Sequence, residues 1–178
     1  MAVKGCRPSD WPSVMSLCAQ HAQLVPSFGV HPWDVEDLAD SWLEDLKSAI
    51  ESTPGAMLGE CGLDRCTRGK QVDWETQKSA FRRQLGLAKE LGKTVSIHCV
   101  RAPAELESAL AEAGLTHPII LHSWVGSADS TAALLKRFPS VLISLSGHLF
   151  QKPPAKAMDM VSVVPADRLL VESDAPDG

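Results

Sequence analysis

The chain has 178 residues, 44% hydrophobic and 22% charged; this length suits one domain with a real core, and the composition excludes a disordered, collagen-like or coiled-coil protein. Lys and Arg number 17 against 22 Asp and Glu, a net charge of -5, so bulk charge attracts neither nucleic acid nor anionic lipid, and a polyanion needs a local attractor. The longest stretch without a charged residue, 11–33, is broken by Pro12, Gln20, His21, Gln23, Pro26 and Pro32, which excludes a membrane span there. No signal-peptide pattern opens the chain. The five cysteines are odd in number and form no C-x-x-C pair. An intracellular, reducing compartment, cytoplasmic or nuclear, is therefore expected, without disulfides.

The predicted elements alternate. Trp11, Val14, Met15, Cys18 and Ala22 recur at helical spacing behind Pro12, with Ser9 or Asp10 as cap. An apolar run over 24–30, ending at His31-Pro32, predicts a buried strand. Leu38, Trp42, Leu46 and Ile50 predict a helix that stops at Pro54-Gly55. A strand over 56–59 follows, then a helix capped by Asp73 and closed by Gly92, and a strand over 94–97. The spacing predicts a helix over 103–113 ending at Gly114, a strand over 119–121, and a helix from Ser127 to Phe138 broken by Pro139. A strand over 141–145, a helical stretch over 154–164 and a strand over 169–171 complete the pattern. Six strands alternating with helices imply parallel crossovers and an α/β class. On periodicity alone, an open sheet and a barrel both remain possible. No linker divides the chain, so 1–178 reads as a single domain.

The polar residues at the strand ends carry the chemistry. His31, Glu60, His98, His122 and Asp174 each stand at or just past an apolar strand. With 22 acidic residues and six histidines in the chain, ligand types at five of six strand ends are hard to ascribe to chance. The C-terminal ends of parallel strands form one active face, so these side chains are expected to converge. Imidazole and carboxylate suit zinc, manganese or magnesium, and a carboxylate can bridge two ions. Bound metal activates water and offsets phosphoryl charge, with Asp174 placed to take the proton; hydrolysis is the natural reaction class.

Blander readings apply elsewhere. A single strand-end His is more often structural than a ligand, so the weight rests on the set. His21, His117 and His148 show no comparable placement and read as surface or loop residues. Cys61, Cys66 and Cys99 read as inert thiols rather than accessory ligands. Arg65, Arg68 and Lys70 form a basic loop that suits phosphate contacts nearly as well as solvent. Trp33 and Trp124 fit packing or base stacking equally.

Seven short motifs in order resemble the TatD family of metal-dependent deoxyribonucleases among the amidohydrolase-like TIM barrels. They are Gly29-Val30-His31-Pro32-Trp33, Gly59-Glu60-Cys61-Gly62-Leu63-Asp64, Gln84-Leu85-Gly86-Leu87-Ala88, Val95-Ser96-Ile97-His98-Cys99, Leu121-His122-Ser123-Trp124-Val125-Gly126, Ile143-Ser144-Leu145-Ser146-Gly147, and Leu169-Leu170-Val171-Glu172-Ser173-Asp174-Ala175-Pro176. The resemblance implies a (β/α)8-type barrel and DNA as substrate. It implies Glu60 as the carboxylate bridging two divalent ions, His98 and His122 as ligands of one, and Asp174 as ligand or base at the other. His31 is implied to face phosphate. Arg101 is implied as a substrate contact, one position beyond the family's usual Arg, where Val100 stands.

The resemblance also implies an incomplete barrel. The family's opening His-x-His is nowhere in this chain. The six strands correspond to the third through eighth, residues 1–5 to a stub of the second, and Gly178 precedes the usual covering helix. Such barrels take about 250 residues. A truncated barrel is expected to expose strand edges open to association, and to keep too few ligands at the first metal, which impairs activity. Two other functions fit the same residues: an amidohydrolase acting on a small amide or ester, and an inactive binding or scaffold fragment.

Overall fold

The computed structural model describes residues 1–175. Contacts gather into two compact units, 1–117 and the residues from 118 onward. The first unit holds four parallel strands, β1 (Ala2–Gly5), β2 (Val25–Phe28), β3 (Met57–Asp64) and β4 (Val95–Val100), neighbouring one another in chain order. Between and after them run α1 (Trp11–Gln20), α2 (Trp42–Ser52), α3 (Trp74–Leu91) and α4 (Pro103–Ala113). Phe28, Leu46, Ile50, Leu58, Phe81 and Ile97 are fully buried and form its core. The second unit repeats the pattern with β5 (Ile119–His122), α5 (Ala128–Arg137), β6 (Val141–Leu145), α6 (Pro154–Ser162) and β7 (Leu169–Val171), again with parallel neighbours. Ile119, Leu121, Leu134, Val141 and Ile143 are buried there.

Most caps follow the sequence. Asp73 Oδ2 accepts from Thr76 N at 2.8 Å, Gly92 closes α3 in the left-handed region with φ 61°, and Ser127 builds a capping box with Ser130. Asp10 does not cap α1 with its side chain, because its carboxylate pairs with Arg7 at 3.3 Å.

Several elements differ from expectation. The stub at the start pairs as a short strand of its own, Ala2–Gly5, registered from Ala2 on Val25 to Gly5 on Phe28, so the described residues hold seven strands rather than six. α2 starts at Trp42, since Pro32 and the turn closed by Asp34 N on His31 O at 2.9 Å keep 31–41 irregular. α6 ends at Ser162, short of 164. β3 runs past Gly59 to Asp64 and β4 past Ile97 to Val100, because residues 61–64 pair with 97–100 after a register shift. That pairing is invisible locally, and it moves Glu60 and His98 from strand ends into strand interiors. The family-like residues Pro176 and Gly178, with the inferred end of the barrel, lie outside the described residues.

Candidate metal centre

In the first unit, period-2 alternation puts Glu60, Gly62 and Asp64 on one face of β3. His98 is the register partner of Gly62, so its ring lies between the two carboxylates. His98 Nδ1 is 3.3 Å from Glu60 Oε1, and His98 Nε2 is 3.0 Å from Asp64 Oδ2. Gly62 is what permits this approach. Its φ is 146°, and a Cβ there would collide with the carbonyl oxygen of His98. His31 reaches the same place from beyond β2, its ring centroid 4.5 Å from that of His98. One donor atom each of His31, Glu60 and His98 lies within 4.8 Å of the others.

Two glutamines of α3, about two turns apart on the same helical face, hold the backbone beneath these groups. Gln84 Oε1 accepts from Val30 N at 2.8 Å while its Nε2 donates to Val30 O at 3.1 Å, which fixes the residue before His31. Gln77 Oε1 accepts from Asp64 N at 2.9 Å and its Nε2 donates to Gly69 O at 2.7 Å. Both glutamines are fully buried, and this pairing satisfies them.

The charges follow from the contacts. Burial disfavours ionised Asp64, but hydrogen bonds from His98 and Cys66 overcome it and hold the carboxyl well below its ordinary range. Burial likewise opposes the His98 imidazolium, yet its bonds to Asp64 and Glu60 raise it to about 9. Burial pushes the Cys6 and Cys99 thiols up to about 12, and that of Cys61 further, with Glu60 adding to Cys6 and Cys61. The inert-thiol reading fits Cys61 and Cys99, and all five cysteines are free.

In the second unit, His122 is again flanked by two carboxylates: Nδ1 is 2.7 Å from Glu172 Oε1, and Nε2 is 2.8 Å from Asp174 Oδ1. Ser123 N and Oγ both donate to Glu172 Oε1 at 2.7 Å, and Ser144 Oγ donates to Oε2 at 2.5 Å. Burial alone would raise Glu172, but the contacts with His122, Ser144 and Ser123 pull it down to about 2. His122, Glu172 and Asp174 bring one donor atom each within 4.8 Å of the others. Ser123 and Asp174, each just past a strand, adopt φ of 45° and 53°, strained values that persist only where surroundings enforce them.

The structure thus gathers His31 with Glu60 and His98, and His122 with Asp174. Arg101 is exposed just past β4, with φ 56°. Asp64, Glu172 and Lys4 carry contacts that the sequence reading did not assign. Two signals could have found the acids: Asp64 is in phase with Glu60, and Glu172 with Asp174, at strand period. His148 also departs from its expected role as a bland loop residue, because its Nδ1 stands 3.5 Å from Asp174 Oδ2. Trp124 is buried, with Nε1 donating to Thr131 at 2.9 Å, so it packs rather than stacks on a base. Trp33 donates to Asp64 at 2.9 Å, and Arg68 covers its ring at 4.0 Å. Arg65 is likewise engaged, 3.8 Å from Glu105.

The donor chemistry fits divalent metal. Each central His has two carboxylate neighbours, so one can share an ion while the other orients the ring, the usual arrangement around a metal-binding imidazole.

The comparisons agree. The TatD related DNase family matches residues 1–178. The chain is 30% identical over 179 residues to the 3'-5' ssDNA/RNA exonuclease TatD of Erwinia tasmaniensis, covering 99% of this chain and 68% of that protein. It is 28% identical over 177 residues to the metal-dependent hydrolase YjjV of Escherichia coli, covering 98% and 67%. The crystal structure of YjjV superposes with a TM-score of 0.88 at 27% identity, over 99% of this chain and 67% of that one. A TatD family hydrolase from Entamoeba histolytica, 22% identical, shares the fold with a TM-score of 0.84, over 98% and 60%. The chain therefore spans about two thirds of the length of these relatives, and it belongs to the TatD-related DNase family, metal-dependent nucleases with an α/β TIM-barrel-type fold.

Proposed function

We propose that this chain hydrolyses phosphodiester bonds of DNA with divalent metal held by Glu60 and His98 in the first unit and by His122 and Asp174 in the second. The observation that carries the reading is the pair of donor groups, His31 with Glu60 and His98, and His122 with Glu172 and Asp174. Mixed imidazole and carboxylate donors suit zinc, manganese or magnesium, and six donor side chains suffice for two ions. Metal bound there supplies a water acidic enough to ionise near neutral pH and offsets charge on a phosphoryl oxygen.

The chain's own residues do the rest. Asp174 accepts the proton of the attacking water, and Glu172 holds the His122 ring at its other nitrogen. Asp64 keeps a proton on His98 Nε2 and turns Nδ1 toward Glu60. Arg101, exposed past β4, and His31 contact the phosphate backbone. The related exonucleases are named for single-stranded DNA and RNA, so a labelled single-stranded DNA oligonucleotide is the substrate of choice, with RNA as the parallel arm.

The test is cleavage of that oligonucleotide with manganese or magnesium, with chelator, and by the Glu60→Gln and Asp174→Asn variants. Chelator should abolish cleavage, and each substitution should lower the rate by at least about 100-fold. Cleavage that survives chelator, or that neither substitution slows, would refute the proposal.

A further inference from the structure

Glu60 is buried, and its two oxygens face different cationic groups. Oε1 lies 3.3 Å from His98 Nδ1, and Oε2 lies 3.3 Å from Lys4 Nζ. Lys4 belongs to β1, two strands from Glu60, and its side chain is only 19% exposed. Alternate strands of a parallel barrel-type sheet contribute side chains to the same interior layer, which is how β1 and β3 can meet across β2. The residue of β2 in register with Lys4 is Ser27. It is small and fully buried, and its hydroxyl donates to Gly59 O at 2.8 Å, which leaves room for the lysine stem to cross.

A half-buried ammonium so placed is not a neutral bystander to metal binding. It has three donors and no lone pair, so it takes up a carboxylate oxygen without offering a ligand in return. Its charge also repels a cation brought to the same oxygen, an effect screened less at this half-buried contact than at an exposed one. His98 differs, because an imidazole that loses its proton becomes a ligand.

We propose that Lys4 is an internal cation that closes Glu60 Oε2 and so makes Glu60 a ligand to one metal ion, through Oε1 beside His98, instead of a bridge between two. The inference rests on the metal-hydrolase reading above and deepens it: at this carboxylate a fixed ammonium stands where a second ion would sit. Lys4 is then the residue that sets how many ions Glu60 serves.

The experiment is equilibrium dialysis of manganese against the 178-residue chain at neutral pH, with electron paramagnetic resonance of the bound ion. Lys4→Met keeps most of the stem and removes the charge, and it should bind one more equivalent per chain than the parent. The extra equivalent should vanish in Lys4→Met/Glu60→Gln, while Lys4→Arg should match the parent. The parent at saturating manganese should show no spin-coupled pair, a reading that needs no variant to fold. Lys4→Met with the parent's stoichiometry and affinity, or a coupled pair in the parent lost on Glu60→Gln, would overturn the inference. If Glu60→Gln depletes the parent of metal while Lys4→Met changes nothing, the metal-hydrolase reading stands and this inference alone falls. If Glu60→Gln leaves manganese binding intact in both backgrounds, both fall.

Discussion

The imidazole of His98 shows how a single residue turns metal readiness into a pH response. Without metal its two ring nitrogens face Glu60 and Asp64, which favours the imidazolium with one N–H on each carboxylate and raises it to about 9 against an ordinary 6.5. A raised cationic group stabilises the fold fully below its unfolded value and loses that contribution as pH rises through the folded one. Glu172 acts in the opposite sense: lowered from 4.5 to about 2, it contributes above 4.5 and fails as pH falls through 2. In chelator, stability should therefore fall from pH 6.5 toward pH 9.5, and the fall should be smaller in His98→Gln. Urea unfolding of both proteins at pH 6 and pH 9.5 checks this, and equal slopes would refute it. Metal binding displaces the same proton, so metal uptake should strengthen across that window.

At the scale of elements, α3 is more than a cover for the sheet. Its buried face carries Phe81, Leu85 and Ala88 for packing, and Gln77 and Gln84 for holding the chain near Asp64 and His31. Gln84→Leu keeps similar volume but leaves the N–H and C=O of Val30 without their side-chain partners, and each unsatisfied buried group costs about 1–3 kcal/mol. The variant should lose about 2–4 kcal/mol in chemical denaturation and bind single-stranded DNA more weakly through displaced His31. A variant as stable as the parent would show that water or neighbouring backbone replaces the amide. In the second unit, Arg168 does comparable work, donating to the carbonyls of Val141, Leu135 and Phe138 at 2.7–2.9 Å.

For the whole molecule, net charge decides how substrate is held. With a charge of -5 and the basic loop partly engaged by Glu105 and Trp33, few cations are available to release counterions from DNA. Binding of single-stranded DNA should then depend on bound divalent metal and show a shallow salt slope. A phosphate neutralised by a side chain adds about 0.7 to the slope on single strands. Mobility shifts at rising salt, with and without chelator, test this. Tight binding in chelator with a steep slope would instead show a basic surface that carries the substrate. No helix among the described residues is long and apolar enough to cross a membrane.

Local sequence determined the α/β class, the caps of α3 and α5, and which donor-type residues are candidates for a site, because apolar periodicity, turn formers and metal-donor chemistry are written residue by residue. Asp73, Gly92 and Ser127 punctuate helices by groups they carry themselves. Only the tertiary structure decided which partners surround each ligand. The pairing of 61–64 with 97–100 sets His98 over Gly62, between Glu60 and Asp64. Ladder register between distant strands leaves no mark on either strand alone. Lys4 is the sharpest case: in sequence it is an ordinary lysine in a four-residue strand, and only the crossing of β1 over Ser27 toward β3 places its ammonium on a buried carboxylate. Contacts across strands 23 and 56 positions apart depend on the path of the backbone, which no local pattern contains.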